Sequence, residues 1–220
     1  MRLIDHYDAQ GWAELSGPEL LHRQQVALAL TTGALRGRPG PRTVLDVGCG
    51  DGALVERLAA QGLDAVGVDP NAPARPRLIR ERVEDARSIG RFDAVCSVMA
   101  LHHADLERVV AAIVGLLRPG GRLFVSEFSW EGYDERAAAW VAAHGGSRTV
   151  EDWRAEHDHL HTGAVVQAAL GEAFDTLSLT ERPYLARMAG EPTLEREEQR
   201  LIDDGALPGF AWWYCGVPKS

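Results

Sequence analysis

Gly48, Gly50 and Gly52 alternate through the segment Asp46-Val47-Gly48-Cys49-Gly50-Asp51-Gly52, and Ala53, Leu54, Val55, Leu58 and Ala59 follow at helical spacing. A turn without Cβ atoms lets the backbone close on a ligand and delivers that ligand to a helix N-terminus, where a nucleotide-like group is the natural occupant. The acids narrow the choice. Asp46 stands two residues before the first glycine, and Asp69 ends the apolar run Ala65-Val66-Gly67-Val68, where a carboxylate can accept both hydroxyls of a ribose. Carboxylates at Asp46 and Asp51 repel a pyrophosphate and attract an ammonium or sulfonium, so the pattern points to a cationic ligand with an adenosine end.

Histidines supply the second set of chemical groups. His102 and His103 follow the apolar run Phe92 to Ser97, at the end of a sheet where ligands sit, so they either line a pocket or only pack and cap. In Glu156-His157-Asp158-His159-Leu160-His161, a helix would put His157 and His161 on one face. That face reads as a solvated or packed helix end, a pocket wall carrying a proton acceptor, or a metal pair. A metal needs a third ligand and defined geometry, which the sequence does not supply, and no metal is expected. The acidic runs Glu195 to Glu198 and Asp203-Asp204 read as solvated helix surface.

The elements that must position these residues alternate along the chain. Val44 and Leu45 lead into the glycine turn as a strand, the following apolar set is a helix, and Ala65 to Asp69 is a second strand stopped by Pro70. A third, diluted by arginine and glutamate, spans Leu78 to Val83, and a fourth spans Phe92 to Ser97. Asp105 caps a helix bearing Val109, Val110, Ile113, Leu116 and Leu117, which Pro119-Gly120-Gly121 ends before a strand at Leu123 to Val125. Alternation of this kind builds a parallel sheet covered on both faces. Helices are predicted over Pro18 to Leu35, Glu135 to Ala143, Val150 to Leu160 and Gly163 to Ala173. A strand at Thr176 to Leu185, an acidic helix at Leu194 to Asp203 and an aromatic strand at Phe210 to Val217 close the chain as an antiparallel edge.

The composition fits one globular domain of 220 residues, 45% hydrophobic and 25% charged. A net charge of -9 argues against nucleic acid as partner, although Arg75, Arg77, Arg80 and Arg82 form a local basic stripe. Cys49, Cys96 and Cys215 are odd in number and widely spaced, which fits a reducing cytoplasm. The acidic N-terminus and the lack of a long apolar run indicate neither export nor a membrane span.

Val44-Leu45-Asp46-Val47-Gly48-Cys49-Gly50-Asp51-Gly52 resembles the glycine-rich signature of the class I S-adenosylmethionine-dependent methyltransferases. Phe92-Asp93-Ala94-Val95, Leu101-His102-His103 and Leu116-Leu117-Arg118-Pro119-Gly120-Gly121-Arg122-Leu123 look like the family's later blocks in order and spacing, so the resemblance covers roughly residues 42 to 128. It implies an α/β, doubly wound, mostly parallel seven-stranded sheet of order 3-2-1-4-5-7-6, with helices on both faces and an antiparallel last strand. It also implies the cofactor contacts. The loop of Asp46, Gly48, Cys49, Gly50 and Gly52 would pass the methionine part, and Asp69 with Pro70 would hold the ribose. Glu84, Asp85 and Ala86 would flank the adenine, and Ser97 and Val98 would approach the methionine end. The expected organisation is a helical cap over 1–41, a cofactor-binding core over 42–128, a helical substrate-side insertion over 129–173, and closing strands with an acidic helix over 174–220.

The resemblance implies transfer of the methyl group of S-adenosylmethionine to an oxygen or nitrogen of a small-molecule acceptor by in-line displacement, leaving S-adenosylhomocysteine. His102, His157 and His161 are the candidate bases. Ser97-Val98-Met99-Ala100 stands where an amino-adenine methyltransferase carries Asn/Asp-Pro-Pro-Tyr, and no carboxylate cluster of the magnesium-dependent type follows, so a metal-free enzyme is expected. A nicotinamide oxidoreductase would want a glycine at Ala53. A non-catalytic or partner-dependent subunit that binds the same cofactor is the other alternative. Trp130, Tyr133, Trp140, Trp153, Tyr184, Trp212 and Trp213 lie in segments where this family builds its acceptor pocket, as core or as lining.

Overall fold

Strand β1, Thr43–Val47, is buried over four consecutive residues, the pattern of a strand covered on both faces. The computed structural model describes residues 43–60, 62–86 and 88–220; the helix expected over Pro18 to Leu35 and the rest of the 1–41 cap lie outside them. After β1 come α1 (Ala53–Ala60), β2 (Asp64–Val68), β3 (Leu78–Ile79), β4 (Phe92–Val98), a 3-10 turn at Leu101–His103, α2 (Leu106–Leu116) and β5 (Leu117–Phe128). Then follow α3 (Glu135–Ala143), α4 (Val150–His157), α5 (Gly163–Ala173), β6 (Phe174–Arg182), α6 (Leu185–Met188), α7 (Glu195–Asp203) and β7 (Ala211–Pro218).

The seven strands form one sheet in the order β3-β2-β1-β4-β5-β7-β6, as the sequence implies. β1 runs parallel to β2 and β4, and β4 to β5, whereas β7 runs antiparallel to both β5 and β6. The C-terminal ends of β1, β2, β4 and β5 therefore meet at one edge. One face packs Leu54, Val55 and Leu58 of α1 against Val44, Cys96 and Phe124. The other packs Val110 and Ile113 of α2 and Val166 and Leu170 of α5 against Leu45, Val95 and Leu123. Each such fully buried side chain contributes about 1.5–3 kcal/mol. Asp105 caps α2 by accepting the Arg108 N–H, and Asp134, Thr149 and Thr162 cap the next three helices in the same way.

A third cluster of Phe128, Tyr133, Trp153, Leu185, Ile202 and Phe210 sits above the end of β5 and joins α3, α4, α6 and α7 into a roof over that edge. Among the described residues no helix is long and apolar enough to cross a membrane.

Besides α4, which ends at His157 rather than Leu160, four elements differ from expectation. β3 keeps only Leu78–Ile79, because the ladder with Gly67 and Val68 ends there and Arg80 turns to donate to the Ala72 carbonyl. β5 starts at Leu117, and its register shift between the partners Phe92 and Ala94 absorbs Pro119-Gly120-Gly121 within the strand. β6 stops at Arg182, since Pro183 has no N–H and Leu185 opens α6. The acidic residues of α7 divide: Glu197, Asp203 and Asp204 are exposed as expected, but Glu195 and Glu198 are 5% and 1% exposed. Glu198 accepts the N–H groups of Tyr184, Leu185 and Ala186, and Glu195 pairs with Arg187.

Candidate active site

The glycine loop closes β1 onto β2. The N–H groups of Gly48 and Cys49 donate to the Val68 carbonyl at 2.9 and 3.3 Å, and Gly48, Gly50 and Gly52 have φ of +75°, +54° and +88°. A Cβ on Gly48 would collide with the Cβ of Ala100, whereas one on Gly50 would meet nothing within 4 Å, so this turn faces open space. The Cys49 thiol is buried and pushed up to about 12 by burial, then by Asp46 and Asp69, which leaves it without nucleophilic character at neutral pH.

Asp69 stands at the end of β2, its carboxylate accepting the Gly50 N–H at 3.2 Å and the Asn71 N–H at 2.7 Å. Asp46 is 2% exposed, and burial followed by the charge of Asp69 pushes its carboxyl up to about 7. A carboxyl in that state gains from a cation brought beside it. A cavity of about 340 Å³ opens beside Asp69, lined by Gly48, Asp69, Pro70, Glu84, Met99 and His103 among others, whereas Asp46, Cys49, Gly50 and Gly52 are not among its lining residues. Glu84 lies with its side chain 5% exposed and Oε1 without a hydrogen-bond partner, 3.6 Å from the Arg82 guanidinium. A buried carboxylate oxygen in this condition is an acceptor for a donor carried by a ligand.

Two sets of the expected residues do not all line this cavity. Asp85 points out to an exposed pair with Arg108 at 3.3 Å and Ala86 packs in the core, so Arg82, Val83 and Glu84 line the cavity instead. The short β3 shifts the register of this loop toward its start. Ser97 is fully buried with its hydroxyl donating to the Val47 carbonyl at 3.1 Å, and Val98 packs against the core. Met99, Ala100 and Leu101 line the cavity where that pair does not, Met99 at a φ of +52° with its N–H on the Ser126 carbonyl.

Beside the first cavity lies a second of about 410 Å³, lined by Met99, His102, His103, Phe128, His157 and Tyr184 among others. Phe128 and Tyr184 lie parallel with centroids 5.9 Å apart, and His157 meets Phe128 edge-on and stacks on Trp153. The His157 Nδ1–H donates to the Trp153 carbonyl at 2.7 Å, leaving Nε2 free. His103, near His102 at 4.2 Å between rings, has its pKa lowered by burial and then by His102, which favours the neutral ring.

His161 does not join them. α4 ends at His157, so the two rings share no helical face, and the His161 Nε2–H donates to the Ala104 carbonyl at 3.0 Å, outside the second cavity. Among the described residues no three metal-ligating side chains converge.

His102 is buried with Nδ1 2.7 Å from Oε2 of Glu127, which is 0% exposed. Glu127 escapes the sequence reading. The available signal was a carboxylate inside the apolar run Leu123 to Phe128.

Residues 20–174 match the model of a family described as a methyltransferase domain. The chain belongs to this family. Ubiquinone biosynthesis O-methyltransferases of Xanthomonas axonopodis pv. citri and Pectobacterium atrosepticum are 33% and 34% identical to it over 135 and 166 residues. These matches cover 54% and 64% of this chain, which spans 56% and 66% of those relatives' length. Geranyl diphosphate C-methyltransferase of Streptomyces coelicolor A3(2), solved with Mg2+, geranyl diphosphate and S-adenosylhomocysteine, has the same fold at a TM-score of 0.59 and 17% identity, over 91% of this chain and 82% of that one. The chain thus has the class I methyltransferase-domain architecture that its glycine loop resembles.

Proposed function

We propose that this methyltransferase binds S-adenosylmethionine in the first cavity and transfers its methyl group to an oxygen or nitrogen of a small molecule held in the second. The observation that carries this reading is the common wall: Met99 and His103 line both cavities, so groups bound on either side lie against one another. A volume of about 410 Å³ with aromatic and imidazole walls suits a small acceptor.

The residues present fit the cofactor. The unsatisfied Oε1 of Glu84 suits an adenine amino group, the Asp69 carboxylate a ribose, the open turn at Gly50 a close-lying chain, and the buried Asp46 an ammonium. When bound, the cofactor supplies an electrophilic methyl group on a sulfonium. The protein's part is alignment, exclusion of water and acceptance of the acceptor's proton. Nε2 of His102 and Nε2 of His157 are the atoms left for that proton, each ring having its Nδ1 engaged elsewhere. Residues 129–173 then serve as the acceptor side through His157 and the Trp153 platform beneath it.

Incubation with methyl-labelled S-adenosylmethionine and fractionated cell extract tests the reading. Label is expected in a small compound; label only in macromolecules would contradict it.

A further inference from the structure

A carboxylate in a sheet interior is costly unless its oxygens find donors. Glu127 finds them mainly in the turn after β4. Its Oε1 accepts the N–H groups of Ala100 and Leu101, both at 2.7 Å, and Oε2 lies 2.7 Å from His102 Nδ1, with a longer bond of 3.4 Å from the Phe128 N–H. The two backbone bonds alone would describe a buttress. The imidazole bond adds chemistry, because an ionised carboxylate only accepts: Nδ1 must carry the hydrogen, so in the neutral ring the lone pair is on Nε2.

We propose that Glu127 is the positioning residue of this site, fixing His102 as the Nδ1–H tautomer so that Nε2 receives the acceptor's proton. The inference rests on the methyl-transfer reading above. In the step, the acceptor's O–H or N–H bond breaks, its proton goes to Nε2, and the freed electron pair forms the bond to the methyl carbon. The departing pair is retained by sulfur, and the imidazolium later releases its proton to water. Other ionisable groups around the second cavity are His103 on the same turn, Glu156, His157 and His159 from α4 and its end, and Tyr184 before α6. Glu127 is the one bonded to Nδ1.

Replacing Glu127 by Gln keeps an oxygen for Ala100 and Leu101 but turns an amide N–H toward Nδ1, which moves the ring hydrogen to Nε2. The test is the long-range 1H–15N spectrum of histidine-labelled protein, with His102→Gln to assign the signal. Wild type is expected to show His102 as Nδ1–H and E127Q to show it as Nε2–H, while calorimetry shows that E127Q still binds S-adenosylhomocysteine. In the label-transfer assay E127Q should lose about a hundredfold or more in kcat, with KM for S-adenosylmethionine unchanged. A wild-type His102 protonated on Nε2, one tautomer in both proteins, or an unaltered kcat would overturn the proposal. The wild-type spectrum decides even where the Gln variant fails to fold. It is also read without any acceptor, so failure of wild type to methylate a small compound would sink the functional reading separately.

Discussion

Gly48 and Ala100 touch across the site: a Cβ on the glycine would occupy the space of the alanine Cβ, so the loop after β1 and the turn after β4 are packed as one surface. The contact brings the glycine loop up to the turn whose Met99 and His103 wall both cavities.

Gly48→Ala should therefore fail twice, through the φ of +75° and through the clash. About 1–2 kcal/mol is expected for the left-handed backbone and about 1–3 kcal/mol for overpacking. Thermal unfolding of G48A against G48A/A100G separates the two, because the second variant should recover the overpacking part alone.

If the cofactor's ammonium lies near Asp46, as proposed, binding should be sensitive to pH. Burial, then Asp69, raises its carboxyl from 3.8 to about 7, so the folded protein without cofactor holds a proton there that the unfolded chain releases. The stability this proton confers is full below about pH 4 and is lost as pH rises through 7. A cationic cofactor favours the ionised form, so affinity for S-adenosylmethionine should weaken as pH falls below 7, approaching about tenfold per unit, with proton release on binding near neutrality. Calorimetry in buffers of different ionisation enthalpy measures the release, and Asp46→Asn should flatten the profile.

Glu84 and Asp85 should behave oppositely. Glu84→Ala is expected to weaken S-adenosylhomocysteine binding by about tenfold or more, the value of a hydrogen bond to a charged group, without lowering the melting temperature of the cofactor-free protein. That second expectation follows from Oε1 lacking a hydrogen bond there and pairing, at 3.6 Å, only with the exposed Arg82 guanidinium. Asp85→Ala removes only an exposed pair with Arg108 and should leave binding unaltered.

Among the histidines, His161→Ala should leave methyl transfer nearly intact, since its ring is tied to Ala104 away from the second cavity. His102→Gln should lower kcat by about 10²–10⁴. Equal losses in both variants would contradict the placement of the proton acceptor.

The strands themselves were legible because buried parallel strands leave short apolar runs, as at Ala65 to Val68, whereas their order in the sheet came from the family resemblance. Asp46, Asp69 and the glycines were legible because a tight turn and a charge leave local marks. Glu127 was not: its meaning depends on Ala100, Leu101 and His102, reached only when β4 and β5 pair. Glu198 is the same case, its carboxylate satisfied by three N–H groups across a loop. The His157 and His161 pairing failed because it assumed a helix one turn longer than Val150–His157. Asp85 lies outside the cavity lining, in a loop whose register is fixed by only two paired residues of β3.

The central claim is that the cofactor's sulfur is presented at the wall between the two cavities. A crystal structure with S-adenosylhomocysteine tests it most directly. The account predicts the adenine against Glu84, the ribose on Asp69, and the sulfur beside Met99 and His103 with the second cavity still open. A ligand lying in the reverse direction, or seated among Phe128, His157 and Tyr184, would contradict it.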